Sequence, residues 1–203
     1  MILTAIPRAR LGATLARFAA GLDDPEARAA FARIAATSPD RAEGAAAEAH
    51  RQAALALARR VGMAVHPAGT PCAFNWDGTA LNGDTEAYVI LHEAAHFVLA
   101  PPERRRLIDF GLGPGPDTTD RDAAEEAARL PFLAREEDEA AASLLGILWE
   151  AALGQPALAS FLDQNWLEGL ERSAPAHFAT VFRRLRRLGL FAGAAVGAAT
   201  YMD

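Results

Sequence analysis

The residues with the clearest chemical potential lie in the run His92-Glu93-Ala94-Ala95-His96. On a helix, residues four apart sit about 40° from each other on one face, one turn apart. Two imidazoles so placed share one metal ion. Glu93 points about 100° away from His92, within reach of a metal-bound water without being a ligand itself. The spacers Ala94 and Ala95 are small, and the flanks Val89, Ile90, Leu91, Phe97, Val98 and Leu99 are apolar, so this helix is expected to be buried. A buried His-Glu-x-x-His run is costly unless its polar groups are paired or bound to metal. The alternative is a non-catalytic helical protein in which the two histidines are hydrogen-bonded or hold a structural metal.

A catalytic site of this kind needs a third protein ligand and an open coordination position. One metalloprotease group would carry Gly at 99 and His at 102; Leu99 and Pro102 stand there, which excludes it. His50, His66 and His177 are the remaining histidines, and none carries a supporting pattern. Glu139 is better placed. It shares one face of a helix with Ser143, Gly146 and Glu150, at spacings of four, three and four. Small residues below Glu139 would let that helix approach the histidine helix closely, and Glu139 would then complete a two-histidine, one-carboxylate centre. The competing explanation makes residues 136–139 an acidic helix N-terminus favoured by the macrodipole. Both hold if Glu136 and Glu137 are solvated while Glu139 turns inward.

Leu91-His92-Glu93-Ala94-Ala95-His96-Phe97, followed by Arg104-Arg105-Arg106-Leu107-Ile108-Asp109-Phe110-Gly111, resembles the core of the elongation factor P hydroxylases. In that family an aromatic residue, a pair of arginines and an acidic-aromatic-glycine step follow the HExxH. A ligand glutamate, a short apolar helix and Gly-x-Pro come next, and Glu139, residues 147–153 and Gly154-Gln155-Pro156 match them in order and spacing. The helix at 178–190 is similar to the family's C-terminal helix. The likeness spans residues 87–190 with gaps, about half the chain. The chain departs from the family in having Leu112-Gly113-Pro114-Gly115-Pro116 in place of a Tyr/Trp-rich segment, Phe97 for a usual tryptophan, and Ala142-Ser143 for Pro-Gln.

The resemblance implies a non-haem iron hydroxylase with Fe(II) held by His92, His96 and Glu139, acting on a modified lysine of an acidic protein substrate such as elongation factor P. Histidine and carboxylate ligands suit Zn(II) as well. A second resemblance is to zinc peptidases and regulator-cleaving proteases of the HExxH type, whose third ligand is also a glutamate in a later alanine-rich helix. There the catalytic residue Glu93 would be the general base that activates a zinc-bound water.

The elements that must position these groups are read from periodicity and breakers. Helices are expected over residues 7–21, 24–37 (Asp24 as N-cap, Pro25 at the first position) and 40–60, forming an N-terminal helical extension at 1–62. Two short extended stretches, 63–66 and 72–76, would pair as a small sheet or hairpin; Asn75, Trp76 and Asp77, which precede the histidine helix, either line its cleft or form a turn without function, the favoured reading. Helices follow over 86–100, 120–130, 136–153, 157–167 and 174–188, with a Gly/Pro loop at 111–120. The expected fold is mainly α (α+β at most): a helical metalloprotease-like core carrying the HExxH at 63–203, joined with the extension into one compact unit.

Composition sets the outer bounds. At 203 residues the chain fits one domain. With 51% hydrophobic and 23% charged residues it is an ordinary globular sequence. A net charge of −6 argues against non-specific nucleic-acid binding. The cluster Arg183, Arg184, Arg186 and Arg187 is read as a solvated helix face. No apolar run reaches the roughly 20 residues of a membrane helix; the apolar tail at 191–200 is about half that length. No signal peptide is read at the N-terminus. The single Cys72 suits a reducing compartment and is expected to be an inert small side chain, so the expected location is the cytoplasm. Trp149 and Trp166 are expected in the core.

Overall fold

In the computed structural model, which describes residues 6–167 and 173–190, each helix traces back to a recognisable local signal. α1 (Arg8–Ala20) leads into α2 (Pro25–Ala35), where Asp24 accepts hydrogen bonds from the Glu26 and Ala27 amides and Pro25 takes the first turn. α3 (Gly44–Arg60) ends at the Val61-Gly62 turn, where Gly62 has φ +96°. α4 (Ala87–Leu99) carries both site histidines and stops before Pro101-Pro102. The short α5 (Arg121–Ala127) precedes α6 (Phe132–Ala152), the longest helix at 21 residues. α7 (Ala157–Asp163) and α8 (Ala174–Arg187) follow.

The molecule is mainly helical, as expected from sequence. α4 packs against α6 on one side and α3 on another, its two most extensive helix contacts. α6 in turn meets α2, α7 and α8. The N-terminal helices share the common core: Phe18 and Phe31 pack with Phe161 and Phe178 in a cluster of tilted and edge-on rings 4.6–6.1 Å apart. The apolar tail at 191–200 lies outside the described residues.

Two expectations need correction. The stretches 63–66 and 72–76 do not pair with each other; among the described residues only isolated bridges form, Val65 with Leu81 and Trp76 with Leu81. Between them Pro67 and Pro71 lack ladder N–H groups. The chain instead reverses at Asp77, whose Oδ1 accepts from the Thr79 and Ala80 amides. That turn brings Leu81 back beside Trp76. Second, α6 starts at Phe132, not Glu136, so residues 136–139 lie beyond its first turn, where the macrodipole effect has faded.

The segment that follows α4 contains two 3₁₀ turns, Arg104–Arg106 and Ile108–Gly111. Within the second, Asp109 (φ 43°), Phe110 (φ 55°) and Gly111 (φ 70°) are consecutively left-handed. Such conformations cost non-glycine residues free energy and persist where the surroundings enforce them. Here the Asp109 N–H donates to the Trp76 carbonyl at 2.9 Å. The buried Phe110 ring stacks on Trp76 at 5.5 Å and on His96 at 5.6 Å.

Candidate metal centre

The α4–α6 crossing brings His92, His96 and Glu139 together. Gly146 marks where the helices are closest: a Cβ there would lie 3.3 Å from the His92 N and Cα atoms and 3.4 Å from the Leu91 carbonyl carbon. The buried Ala94, Ala95 and Ala142 keep the surrounding contact thin. Glu139, two turns earlier on α6, then faces the histidine pair. His92 Nε2 and His96 Nε2 are 3.0 Å apart, and Glu139 Oε2 is 3.4 Å from each.

Those spacings fit a metal. Ligand atoms about 2.1 Å from a common ion, at angles between about 90° and 109°, lie about 3.0–3.4 Å from one another. Among the described residues no fourth metal-ligating side chain joins this group, which leaves coordination positions for water or substrate. Burial alone would raise the Glu139 carboxyl, but the His96 and His92 imidazoles outweigh it and hold the group well below the usual carboxylate range.

Glu93 is buried beside the centre. Its burial, with the charges of Asp109 and Glu139, pushes its carboxyl up to about 8, against the opposing effect of His92 and a long contact (3.5 Å) from Asn75 Nδ2. Asp109 is likewise raised by burial, although the Thr118 hydroxyl donates to its Oδ2 at 2.8 Å. Both acids, with His92, His96 and Glu139, line a cleft of about 600 Å³. Its farther wall carries Tyr88, Trp166 and His177. The lining includes the carboxylates of Glu93, Asp109, Asp117, Glu136 and Glu139 and no arginine.

The other expectations sort cleanly. His66 does not approach the centre; its Nε2 pairs with Asp77 Oδ2 at 2.7 Å, and the hydrogen bonds to Asp77 hold that carboxyl down at about 2 despite burial. His50 lies on α3, where its carbonyl accepts from Gln155 Nε2. His177 lines the cleft and stacks on Trp166, 5.3 Å between rings. Trp149 and Trp166 are buried as expected, but one edge of Trp166 also faces the cleft while its Nε1 donates to Ser143 Oγ at 2.8 Å. Within the arginine cluster, Arg184 donates to the Glu137 carbonyl and Arg186 pairs with Glu26, so that face is partly engaged. The Cys72 thiol is raised by burial, which keeps it protonated and unreactive.

Three participants are only weakly marked in the sequence. Asn75 lines the cleft beside Glu93, the less favoured of its two expected roles. Asp109 carried a signal only through the acidic-aromatic-glycine step. Asp138 was hidden in an acidic run, although it is buried and pairs with Arg104 at 2.9 Å. Among known proteins, no family model, curated protein or solved structure matches the chain.

Proposed function

We propose that the chain is a metal-dependent enzyme with His92, His96 and Glu139 as ligands, and that it is a non-haem iron hydroxylase of the kind its sequence resembles. The observation that carries this reading is convergence. Arg104, Asp109, Phe110 and Glu139 are among the residues that carry the likeness downstream of the HExxH, and these four gather around the two histidines. Arg104 braces Asp138 beside Glu139, Phe110 backs the His96 ring, and Asp109 faces the cleft.

A bound Fe(II) would supply dioxygen activation, placing one oxygen atom in a substrate C–H bond while the other leaves as water with two electrons from a reductant. The chain's own groups do the rest. Asp117 and Glu136, with no arginine in the lining to offset them, draw in a cationic side chain such as a modified lysine. Tyr88 and the exposed edge of Trp166 give its apolar part something to lie against. Phe110 and the buried alanines keep water from the rear of the centre. An acidic protein such as elongation factor P is the partner this reading calls for. Nucleic acid and membrane have no part in it; no helix among the described residues is long and apolar enough to cross a bilayer. A cytoplasmic location accords with the single thiol.

A second reading, a zinc hydrolase, is favoured by Glu93. A buried carboxyl pushed up to about 8 falls back when a divalent cation sits beside it, which poises it to take a proton from water and return it to a leaving group. Anaerobic purification followed by metal identification separates the two. Iron with oxygen-dependent product supports the hydroxylase; zinc with peptide cleavage that disappears in Glu93→Gln replaces it with the hydrolase. A folded chain that takes up neither metal refutes both.

A further inference from the structure

Two buried atoms of the centre lie outside the ligand set: His92 Nδ1 and His96 Nδ1, neither of which makes a hydrogen bond among the described residues. They differ in their surroundings. Asp138 Oδ2 lies 3.9 Å from His96 Nδ1, whereas the carboxylate recorded near His92 approaches its Nε2. Asp138 and Glu139 are consecutive on α6, so two neighbouring carboxylates address the two nitrogens of one ring. Glu139 stands 3.4 Å from Nε2 and Asp138 3.9 Å from Nδ1. Asp138 is itself fixed from behind: Arg104 Nη2 donates to Oδ2 at 2.9 Å, and Arg184 Nη2 sits 3.7 Å from Oδ1. Phe110 covers the face of the ring.

We infer that Asp138, clamped by Arg104 and Arg184, is a positioning residue for His96: it keeps the ring proton on Nδ1 and so presents the Nε2 lone pair to the metal. This rests on the metal-centre reading above. A metal-bound histidine almost always donates its second N–H to such a partner, and the partner orients the ring. A separation of 3.9 Å is too long for a hydrogen bond, and contacts of this kind tighten when the centre is filled. The 3.0 Å contact between the two Nε2 atoms agrees: with His96 protonated on Nδ1, its Nε2 accepts from His92.

The test uses the full chain. Nitrogen-15 NMR of the metal-free wild type at mildly alkaline pH reads which His96 nitrogen is protonated, and competition with a chelator reads Zn(II) affinity in wild type and Asp138→Asn. The expected results are a proton on Nδ1 and an affinity loss of about 10–100-fold in the variant. Circular dichroism shows whether the variant keeps its helices; if it fails to fold, the wild-type tautomer decides alone. An unprotonated Nδ1 in the wild type, or a folded Asp138→Asn that binds Zn(II) as tightly as wild type, overturns the inference while the metal centre stands. A wild type that binds no Zn(II) or Fe(II) overturns both.

Discussion

Replacing Gly146 by alanine pits two effects of opposite sign against each other. Alanine gains about 1 kcal/mol of helix propensity over glycine in mid-helix. Its Cβ, however, would meet the His92 backbone at 3.3 Å and the Leu91 carbonyl carbon at 3.4 Å, so the helices must part by a few tenths of an ångström. Overpacking of this kind costs about 1–3 kcal/mol. The net expectation is a loss of about 0–2 kcal/mol, a fall of a few degrees in Tm for a chain of this size. The larger consequence is at the metal. Glu139 rides on the same rigid helix, and metal sites tolerate only about 0.2 Å of error in ligand distance. A few tenths of separation therefore widens the 3.4 Å gaps from Glu139 to both histidines beyond good coordination. Gly146→Ala should weaken Zn(II) binding in chelator competition by clearly more than its stability loss implies. Gly146→Val, with two more methyl groups against the same backbone, should do so further. The reasoning fails if Gly146→Ala is stabilised by about 1 kcal/mol with unchanged affinity, for the crossing would then have room to spare.

Other perturbations test separate parts of the molecule. His92→Ala, His96→Ala and Glu139→Ala should each lose stoichiometric metal while circular dichroism stays helical; one that keeps a full equivalent at wild-type affinity removes that residue from the ligand set. Arg104→Met strips the closest cation from buried Asp138 and should destabilise by about 3–5 kcal/mol in urea unfolding. A loss under 1 kcal/mol would mean that Arg184 alone suffices. Glu150, buried between Arg41 and Ser160, has its carboxyl pushed up to about 7 chiefly by desolvation. Between its unfolded value of 4.5 and about 7 the folded chain retains a proton that the unfolded chain has released, so stability falls as pH rises through that window. The full effect is on the order of 3 kcal/mol. Glu150→Gln should flatten that slope and gain stability above neutral pH; an unchanged slope would assign it to another group.

The helices were legible because their signals are local. Asp24-Pro25 starts α2, Gly62 and the Pro101-Pro102 pair follow the ends of α3 and α4, and the spacing from Glu139 through Gly146 holds wherever the helix begins. What failed depended on distant partners. The segment at 72–76 has strand-forming composition, but its pairing was decided by the Asx turn at Asp77 and by Leu81, not by the nearer stretch at 63–66. The partners of the N-terminal helices were likewise illegible, because no local pattern reveals that Phe18 and Phe31 meet Phe161 and Phe178. Asp109 was the hardest to see. Its left-handed backbone is held by a hydrogen bond to Trp76 and by a neighbouring ring seated between Trp76 and His96, contacts that exist only in the folded chain.

The division of labour between rigid and variable parts bears on which substrate this centre would serve. The three proposed ligands sit on α4 and α6, which approach closely at Gly146, so the geometry offered to a metal would follow from packing. The walls that a substrate would touch come largely from elsewhere: the loops around Asn75 and 109–118, Trp166 after α7, and His177 on α8. The main departures from the hydroxylase likeness fall there. Leu112, Gly113, Gly115 and Pro116, which stand where the resembled family carries a Tyr/Trp-rich segment, all line the cleft, as does Ser143. Trp166, hydrogen-bonded to Ser143 and stacked on His177, offers an aromatic edge from a different element. On the proposed hydroxylase reading, ligand helices that match beside a wall that differs point to the same chemistry on a different substrate. On that argument the modified-lysine protein is a starting point for assays, and a cationic side chain that fits between Asp109 and Trp166 is the broader class to screen.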